Sequence, residues 1–259
     1  MTINNIARNQ MSPAMQRIAS GNRVNSAADD AAGSAIIETL TAQLNGLDQG
    51  TRNTLDMQAL ATTAEGGLDG ISDSLNRIRE LSVQALNDTN TPAGREIIQN
   101  EINQLADHIQ STVNNTQFNN RNLLDGSAAN LNTASGPDGT GATVTINDMS
   151  SLAQAVANFN VTGSFDLNDI DGALTEVAGQ RAQIGAQMNR FDHTVSANSI
   201  SSLNMADARS RVRDADIAAE IAALSQERVI NEVEVLMQQQ QQRRVEEEGQ
   251  AVVGTAAIR

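Results

Sequence analysis

The sequence contains no cysteine, lysine, tryptophan or tyrosine. Without cysteine the chain forms no disulfide bond, thiolate nucleophile or cysteine-ligated zinc site. Without lysine it has neither a Walker-A phosphate loop nor a Schiff-base nucleophile, and all seventeen of its basic residues are arginine. Four phenylalanines are the only aromatic residues, whereas a compact enzyme core normally relies on aromatic bulk. The other apolar residues are alanine, leucine, isoleucine, valine and methionine, which suit long helices packed along a seam.

Acidic residues outnumber basic ones and give the 259-residue chain a formal net charge of −14 at pH 7. Such a chain offers no basic surface to neutralise phosphates, so we do not expect it to bind nucleic acid. No run of residues is apolar enough to span a membrane. The first ten residues carry one arginine and no apolar run, so they do not form a conventional signal peptide. If the protein is exported from the cell, it would therefore use a route that does not require a conventional signal peptide.

Side chains that could carry catalysis or bind a metal are sparse. His108 and His193 are the only histidines, and neither lies in an H-x-x-x-H frame, so we expect both on helix surfaces. Asp169 to Gly172 resemble the centre of a calcium loop, but the first and last ligand positions hold leucine and alanine. No serine lies in a nucleophile elbow. The sequence predicts no enzyme, no cofactor and no metal site.

Apolar residues recur at three- and four-residue spacing through most of the chain, which predicts several long helices. Ser12 and Pro13 provide the cap and first residue of a short helix. A long helix then carries Leu40, Leu44, Leu47 and the run from Ala61 to Ile78, and a third carries Ile98 to Val113. The pattern returns from Ile170 to Val195 and again from Ile217.

The segment of about 117–165 differs from the helical parts that flank it. Thr143–Ile146 alternate and are β-branched, which predicts a strand, and Ser150–Asn158 predict a short helix. This segment is too small to bury a core of its own and must lie on the helices. We therefore expect a mainly α protein in which helices from both ends of the chain pack as a bundle or coiled coil around a small β-containing insert.

The segment Ser20–Gly33, S-G-N-R-V-N-S-A-A-D-D-A-A-G, predicts a helix end followed by a helix start. Gly21 tolerates the left-handed conformation of a C-cap, and the Ser26 hydroxyl is predicted to cap the next helix. Asp29 and Asp30 could be paired catalytic carboxylates, but charges near a helix N-terminus explain them more simply.

The same segment closely resembles the N-terminal signature of bacterial flagellin. Its signature positions are Ser20, Gly21, Arg23, Asn25, Asp29, Asp30 and Gly33. N-R-I-R-E-L-S-V-Q-A-L-N (Asn76–Asn87) and T-Q-F-N (Thr116–Asn119) also resemble family motifs. Two C-terminal stretches do so as well, Gln180–Phe191 and Ala208–Glu220.

The resemblance implies a structural subunit of the flagellar filament that gives the cell motility. The implied fold is a long antiparallel helical bundle or coiled-coil rod with a small β-hairpin in the middle of the chain. Residues 28–214 would form the rod-like tube domain, without large outer domains, and residues 1–27 and 215–259 a terminal helical layer lining the central channel. The implied partners are further copies of the chain, an export chaperone and the filament cap. The implied location is the extracellular filament, reached in unfolded form through the flagellar type III apparatus.

The resemblance also implies recognition of the monomer by Toll-like receptor 5. Arg77, Leu81 and Glu101 match the family's receptor-contact positions. From spacing alone, Glu80 and Gln84 lie on the same helix face as Arg77, which equally describes a solvated face or a contact between subunits.

Both ends of the chain depart from the family pattern. The region before Ser20 is shorter than expected, and the C-terminal end carries five glutamines, Gln238–Gln242, followed by a charge cluster. Unpaired charges resist burial in an inner layer. The alternatives are therefore a flagellin-like protein that polymerises poorly and acts as a soluble monomer or receptor ligand, or a hook–filament junction protein.

Overall fold

The computed structural model describes the backbone of residues 12–256 and the side chains of residues 12–244. The helices, in chain order, are α1 Pro13–Ser20, α2 Ala31–Ala85, α3 Pro92–Asn115, α4 Ser150–Ala157, α5 Leu167–Arg213 and α6 Ile217–Ala256. Between α3 and α4 lie the strands β1 Gln117–Phe118, β2 Arg121–Asn122, β3 Asn130–Ala134 and β4 Gly141–Thr145. The predicted mainly α fold class with a small β-hairpin is confirmed.

Two compact units make up the described chain. One combines residues 12–41 with 206–256, and the other is Ala42–Met205. The division falls within α2 and α5, so each of these helices contributes residues to both units.

Within the Ala42–Met205 unit, α2 packs antiparallel to both α3 and α5. Arg79, Glu65 and Gln58 of α2 contact Asp171, Arg181 and Asp192 of α5, respectively. Residue numbers on α5 therefore increase as those on α2 decrease. The pairs of Arg77 with Glu101 and Ser74 with His108 show the same order between α2 and α3.

The core of this unit consists of the periodic apolar residues that predicted the helices. Leu68, Ile71, Leu75 and Ile78 of α2 have no exposed surface, and the buried face of α3 and the first half of α5 join them in one cluster. On α3 these are Ile98, Ile102, Ala106, Ile109 and Val113, and on α5 they include Ile170, Val177, Ile184 and Phe191. His108 and His193 lie exposed on helices, as predicted.

The residues between α3 and α5 lie on the helices rather than forming a separate core. Leu123, Leu124, Val144, Ile146 and Met149 are fully buried in the same cluster as the α2 and α3 side chains. β3 and β4 pair antiparallel, with Leu131 opposite Val144. The predicted strand at Thr143–Ile146 is confirmed as β4, although it begins two residues earlier and ends one residue earlier. Its partner β3 was not predicted.

Two helices begin at a hydroxyl cap followed by proline, of which the cap at Ser12 and Pro13 was predicted and the one at Thr91 and Pro92 was not. The Ser12 hydroxyl accepts a hydrogen bond from the Met15 N–H at 3.3 Å, and Pro13 is the first residue of α1. Thr91 and Pro92 begin α3 in the same way, with the Gly94 N–H donating to the Thr91 hydroxyl at 3.1 Å. Across the described residues, no helix is both long and apolar enough to cross a bilayer.

Candidate functional site

The signature segment Ser20–Gly33 forms the connection between α1 and α2. Gly21 ends α1 with φ = 71°, and its N–H donates to the Arg17 carbonyl at 2.8 Å. A left-handed residue is required here, because it turns the chain away from the helix axis, and glycine adopts it without steric cost. The predicted C-cap is confirmed.

The start of α2 differs from the prediction at one residue. Asp30 directly precedes α2, and its Oδ1 accepts a hydrogen bond from the Gly33 N–H at 2.8 Å. The Ser26 hydroxyl does not cap α2 but donates to Oδ2 of Asp29 at 3.1 Å. The prediction that Ser26 caps the helix is therefore wrong, and Asp30 is the cap. Gly33 fits this cap because a Cβ there would lie 2.5 Å from Oδ2 of Asp30.

Asp29 closes the turn that leads into the cap. Its Oδ2 also accepts the backbone N–H groups of Ser26 at 2.9 Å and Asn25 at 3.1 Å. These backbone hydrogen bonds, the Ser26 bond first, hold the pKa of Asp29 below its usual value because they favour the charged form. Both aspartates therefore accept backbone N–H groups at the start of α2, as the helix-start interpretation expects.

The connection pairs with the break between α5 and α6. Asn22 and Asp214 form an antiparallel bridge, and the Arg23 N–H donates to the Arg213 carbonyl at 2.6 Å. The Ala215 N–H in turn donates to the Gly21 carbonyl at 2.9 Å. We call residues 20–26 and 212–216 the junction. Backbone atoms make most of its contacts, so it holds two distant parts of the chain in register.

Side chains add to the junction from both sides. The Arg23 guanidinium donates to the Val212 carbonyl at 2.7 Å and lies 3.8 Å from Asp30. Arg17 of α1 and Glu220 of α6 form an ion pair at 2.9 Å. On the α5 side, hydrogen bonds from the Ser210 hydroxyl and then Arg213 hold the pKa of Asp214 below its usual value.

Arg77, Glu80 and Glu101 form an exposed ionic cluster on α2 and α3. Arg77 donates from Nη2 and Nε to Oε1 of Glu101 at 2.8 and 3.0 Å, and from Nη1 to Oε2 of Glu80 at 3.0 Å. These carboxylates, Glu101 first, raise the pKa of Arg77. All three side chains are about half exposed or more, so a partner could contact them without any unfolding of the protein.

Leu81 and Gln84 differ sharply in their surroundings. Leu81 is 2% exposed and packs in the core of the Ala42–Met205 unit. Gln84 is exposed, and its backbone carbonyl accepts the Asn90 side-chain amide at 2.6 Å. Of the five residues predicted to contact the receptor, Leu81 is therefore the one whose side chain is buried, whereas the other four are exposed.

Helix α6 presents an exposed apolar stripe. The stripe consists of large apolar side chains that recur at three- and four-residue spacing along one face of the helix and are 49–59% exposed: Val229, Ile230, Val233, Leu236 and Met237. Ile217, Ile221 and Val235 are also exposed but lie on the other side of α6. Spacing of this kind normally marks a buried helix face. The helical part of the C-terminal end was predicted, but its exposure was not, because periodicity alone does not reveal what covers a face.

Sequence reasoning missed the carbonyl of Arg213 and the Glu220 carboxylate as partners of the N-terminal segment. A signal was present, since Asp214–Asp216 interrupt the helical pattern just as Gly21 does. Among the described residues, no group of three or more histidine or acidic side chains could hold a metal ion.

The fold and these sites define a class of protein: a mainly α scaffold in which segments from the two ends of the chain pair with each other. Two family models match it, the bacterial flagellin N-terminal helical region over residues 1–129 and the C-terminal helical region over residues 167–245. The chain belongs to the bacterial flagellin family.

Individual relatives agree with this assignment. The flagellin of Halalkalibacterium halodurans is 35% identical over 237 residues, which cover 88% of this chain and 87% of the relative. The flagellin of Bacillus subtilis is 32% identical over 277 residues, which cover 91% of each chain.

Solved structures give the same result at the level of the fold. The crystal structure of Bacillus cereus flagellin is similar with a TM-score of 0.51 and 29% identity, over 57% of this chain and 88% of that one. A putative flagellar hook-associated protein from Vibrio parahaemolyticus has a TM-score of 0.60 at 19% identity, over 72% of this chain and all of that one. At that identity the second similarity concerns the fold alone.

Proposed function

We propose that this protein assembles with copies of itself into the extracellular flagellar filament and so gives the cell motility. The observation that carries the proposal is the exposed apolar stripe of α6. A protein in solution rarely leaves this much ordered apolar surface uncovered, and copies of the same chain would cover it. In this arrangement residues 1–27 and 215–259 form a terminal layer, and residues 28–214 form the tube domain.

The proposed route to the cell exterior is the flagellar type III apparatus, with an export chaperone holding the chain unfolded and the filament cap assisting assembly. The absence of cysteine supports this route, because a disulfide would obstruct passage of an unfolded chain.

The assembly proposal is tested by salting purified full-length monomer and examining it by negative-stain electron microscopy. Val233→Asp places a charge within the α6 stripe, and we expect it to raise the critical concentration for assembly about tenfold or more, because burying an unpaired charge is strongly unfavourable. Asn231→Asp is the matched control, since it adds the same charge on the opposite face of α6, and it should leave assembly nearly unchanged.

Three outcomes would contradict the proposal. A folded, helical wild-type monomer that forms no filaments under any salt condition would favour the soluble-monomer alternative. Equal effects of Val233→Asp and Asn231→Asp would mean that the α6 stripe is not an assembly surface. If the protein only added to the ends of preformed filaments and did not elongate them, the hook–filament junction alternative would be favoured.

The second candidate function is recognition by Toll-like receptor 5 through Arg77, Glu80, Gln84 and Glu101. The exposed ionic cluster supports it, because charged groups held in a fixed arrangement suit recognition by a complementary partner. A surface that also serves assembly would be open to the receptor only on the monomer.

A reporter assay in cells that express the receptor tests this second function. Arg77→Ala should lower the potency of the monomer about tenfold, the size of effect expected for an arginine anchor. Arg52→Ala is the control, since Arg52 is also an exposed arginine of α2 but hydrogen-bonds only Gln49 among the described residues. Leu81→Ala should act by loosening the core, and circular dichroism should reveal that loss. Full potency of both Arg77→Ala and Leu81→Ala would refute the assignment.

A further inference from the structure

A cavity of about 720 Å³ opens between α4 and the first turns of α5. Leu152, Val156 and Ile170 form part of its apolar lining and are almost fully buried. Phe159 and Phe165, on the connection between the two helices, also line it, and their rings meet edge to face with centroids 5.6 Å apart. The volume lies within the range of pockets that hold small organic molecules.

Two carboxylates line the mouth of this cavity. Asp169 and Glu176 are seven residues apart on α5, so they lie on one helix face about 10 Å apart along the axis. Neither forms an ion pair with any described residue, whereas the neighbouring Asp171 is paired with Arg79 at 2.6 Å. The lining residues in the described chain include no basic side chain.

Gly172 keeps the space between these carboxylates open. It lies between them on α5 and lines the cavity, and a Cβ placed there would meet nothing within 4 Å. A ligand can therefore reach the apolar lining while its polar end stays near both acidic groups.

We propose that this cavity binds a small organic cation with an aromatic or alkyl body, such as an arylalkylammonium ion. The apolar body contacts the buried lining and the two phenylalanine rings, and the ammonium group lies between Asp169 and Glu176. Complementary charge favours this class of ligand over an anion or a neutral molecule of the same size. The site is separate from the junction and from the α6 stripe, so it does not depend on the proposed assembly function.

Phenethylammonium is the probe, titrated into the full-length monomer at low ionic strength. The chain has only four phenylalanines as aromatic residues, so their ring signals are readily resolved by NMR. We expect saturable shifts of the Phe159 and Phe165 rings, with Phe118 and Phe191 unchanged as internal controls. 3-Phenylpropionate has a similar body with the opposite charge and should bind at least about fivefold more weakly.

Substitutions at two glycines locate the site. Gly172→Leu fills the open space between the carboxylates and should abolish saturable binding. Gly179→Leu is the matched control, because Gly179 is also an exposed α5 glycine with nothing within 4 Å but does not line the cavity. Glu176→Gln should weaken binding about two- to fivefold, as expected for an exposed charge pair.

Three results would overturn the proposal. One is the absence of saturable shifts with phenethylammonium. Another is equal binding of phenethylammonium and 3-phenylpropionate, which would remove the preference for a cation. The third is an equal loss of binding in Gly172→Leu and Gly179→Leu, which would place the ligand elsewhere.

Discussion

Two adjacent aspartates at the start of α2 perform different tasks. Asp30 caps the helix, while Oδ2 of Asp29 accepts hydrogen bonds from the N–H groups of Asn25 and Ser26 and from the Ser26 hydroxyl. The first stabilises α2 itself, and the second fixes the turn that brings the chain to the junction. Replacing either one therefore affects a different part of the connection.

Titration of Asp29 and Asp214 should make the junction sensitive to acid. Both pKa values are lower in the folded chain than in the unfolded one, so the stabilisation is present above the unfolded value of about 4 and is lost as the pH falls through the lower folded values. We expect the melting temperature to fall below about pH 4. Asp29→Asn keeps an acceptor oxygen but does not titrate, so it should flatten this dependence.

Circular dichroism melts between pH 6 and pH 2.5 measure the effect. Asp48→Asn is the control, because Asp48 is an exposed residue of α2 outside the junction. If wild type, Asp29→Asn and Asp48→Asn give parallel curves, Asp29 does not contribute to the acid sensitivity.

The β3–β4 hairpin is positioned by the helices beneath its tip. Gly46 and Gly50 of α2 lie against the turn after β3, so close that a Cβ at Gly50 would overlap the Ser135 carbonyl. Asn53 of α2 and Asn198 of α5 donate side-chain amide hydrogen bonds to the Ala134 and Ser135 carbonyls at 2.9 and 2.8 Å. The two glycines leave room for the turn, and the two amides hydrogen-bond its backbone carbonyls.

Alanine at Gly50 should have the opposite effect to alanine at an open glycine of the same helix. Gly66→Ala meets nothing within 4 Å and should stabilise the protein by about 0.5–1 kcal/mol, because alanine favours the helix. Gly50→Ala should instead destabilise it by about 1–3 kcal/mol, the usual range for overpacking. Urea unfolding measures both, and proteolysis at residues 135–141 should become faster only in Gly50→Ala. Stabilisation by both substitutions would mean that the hairpin does not need the Gly50 contact.

At the scale of the whole molecule, the sequence predicts best where one local pattern decides the structure. The helices were predicted because their apolar residues recur at the helical period and are in fact buried, as from Leu68 to Ile78. Strand β3 was missed because N-L-N-T-A has one large apolar residue and is a strand only because β4 pairs with it.

The candidate sites were less predictable because they depend on which distant residues meet. Ser26 and Asp30 are both good capping residues, and the geometry of the turn, rather than their type, decides between them. Spacing placed Arg77 and Glu80 together, but the pairing of Arg77 with Glu101 depends on how the turn between α2 and α3 sets their register. Leu81 lies next to Glu80 in sequence, yet the helix turns it into the core.

The junction also constrains the order in which the protein can fold during synthesis. Its partners are very far apart along the chain, 189 residues for Arg23 with Val212 and 203 for Arg17 with Glu220. A nascent chain leaves the ribosome N-terminus first. Residues 20–26 therefore cannot form the junction until residues 212–216, near the end of the chain, have been synthesised. At ordinary elongation rates this delay is roughly 10–40 s. During that interval the N-terminal segment remains available to any factor that captures nascent chains.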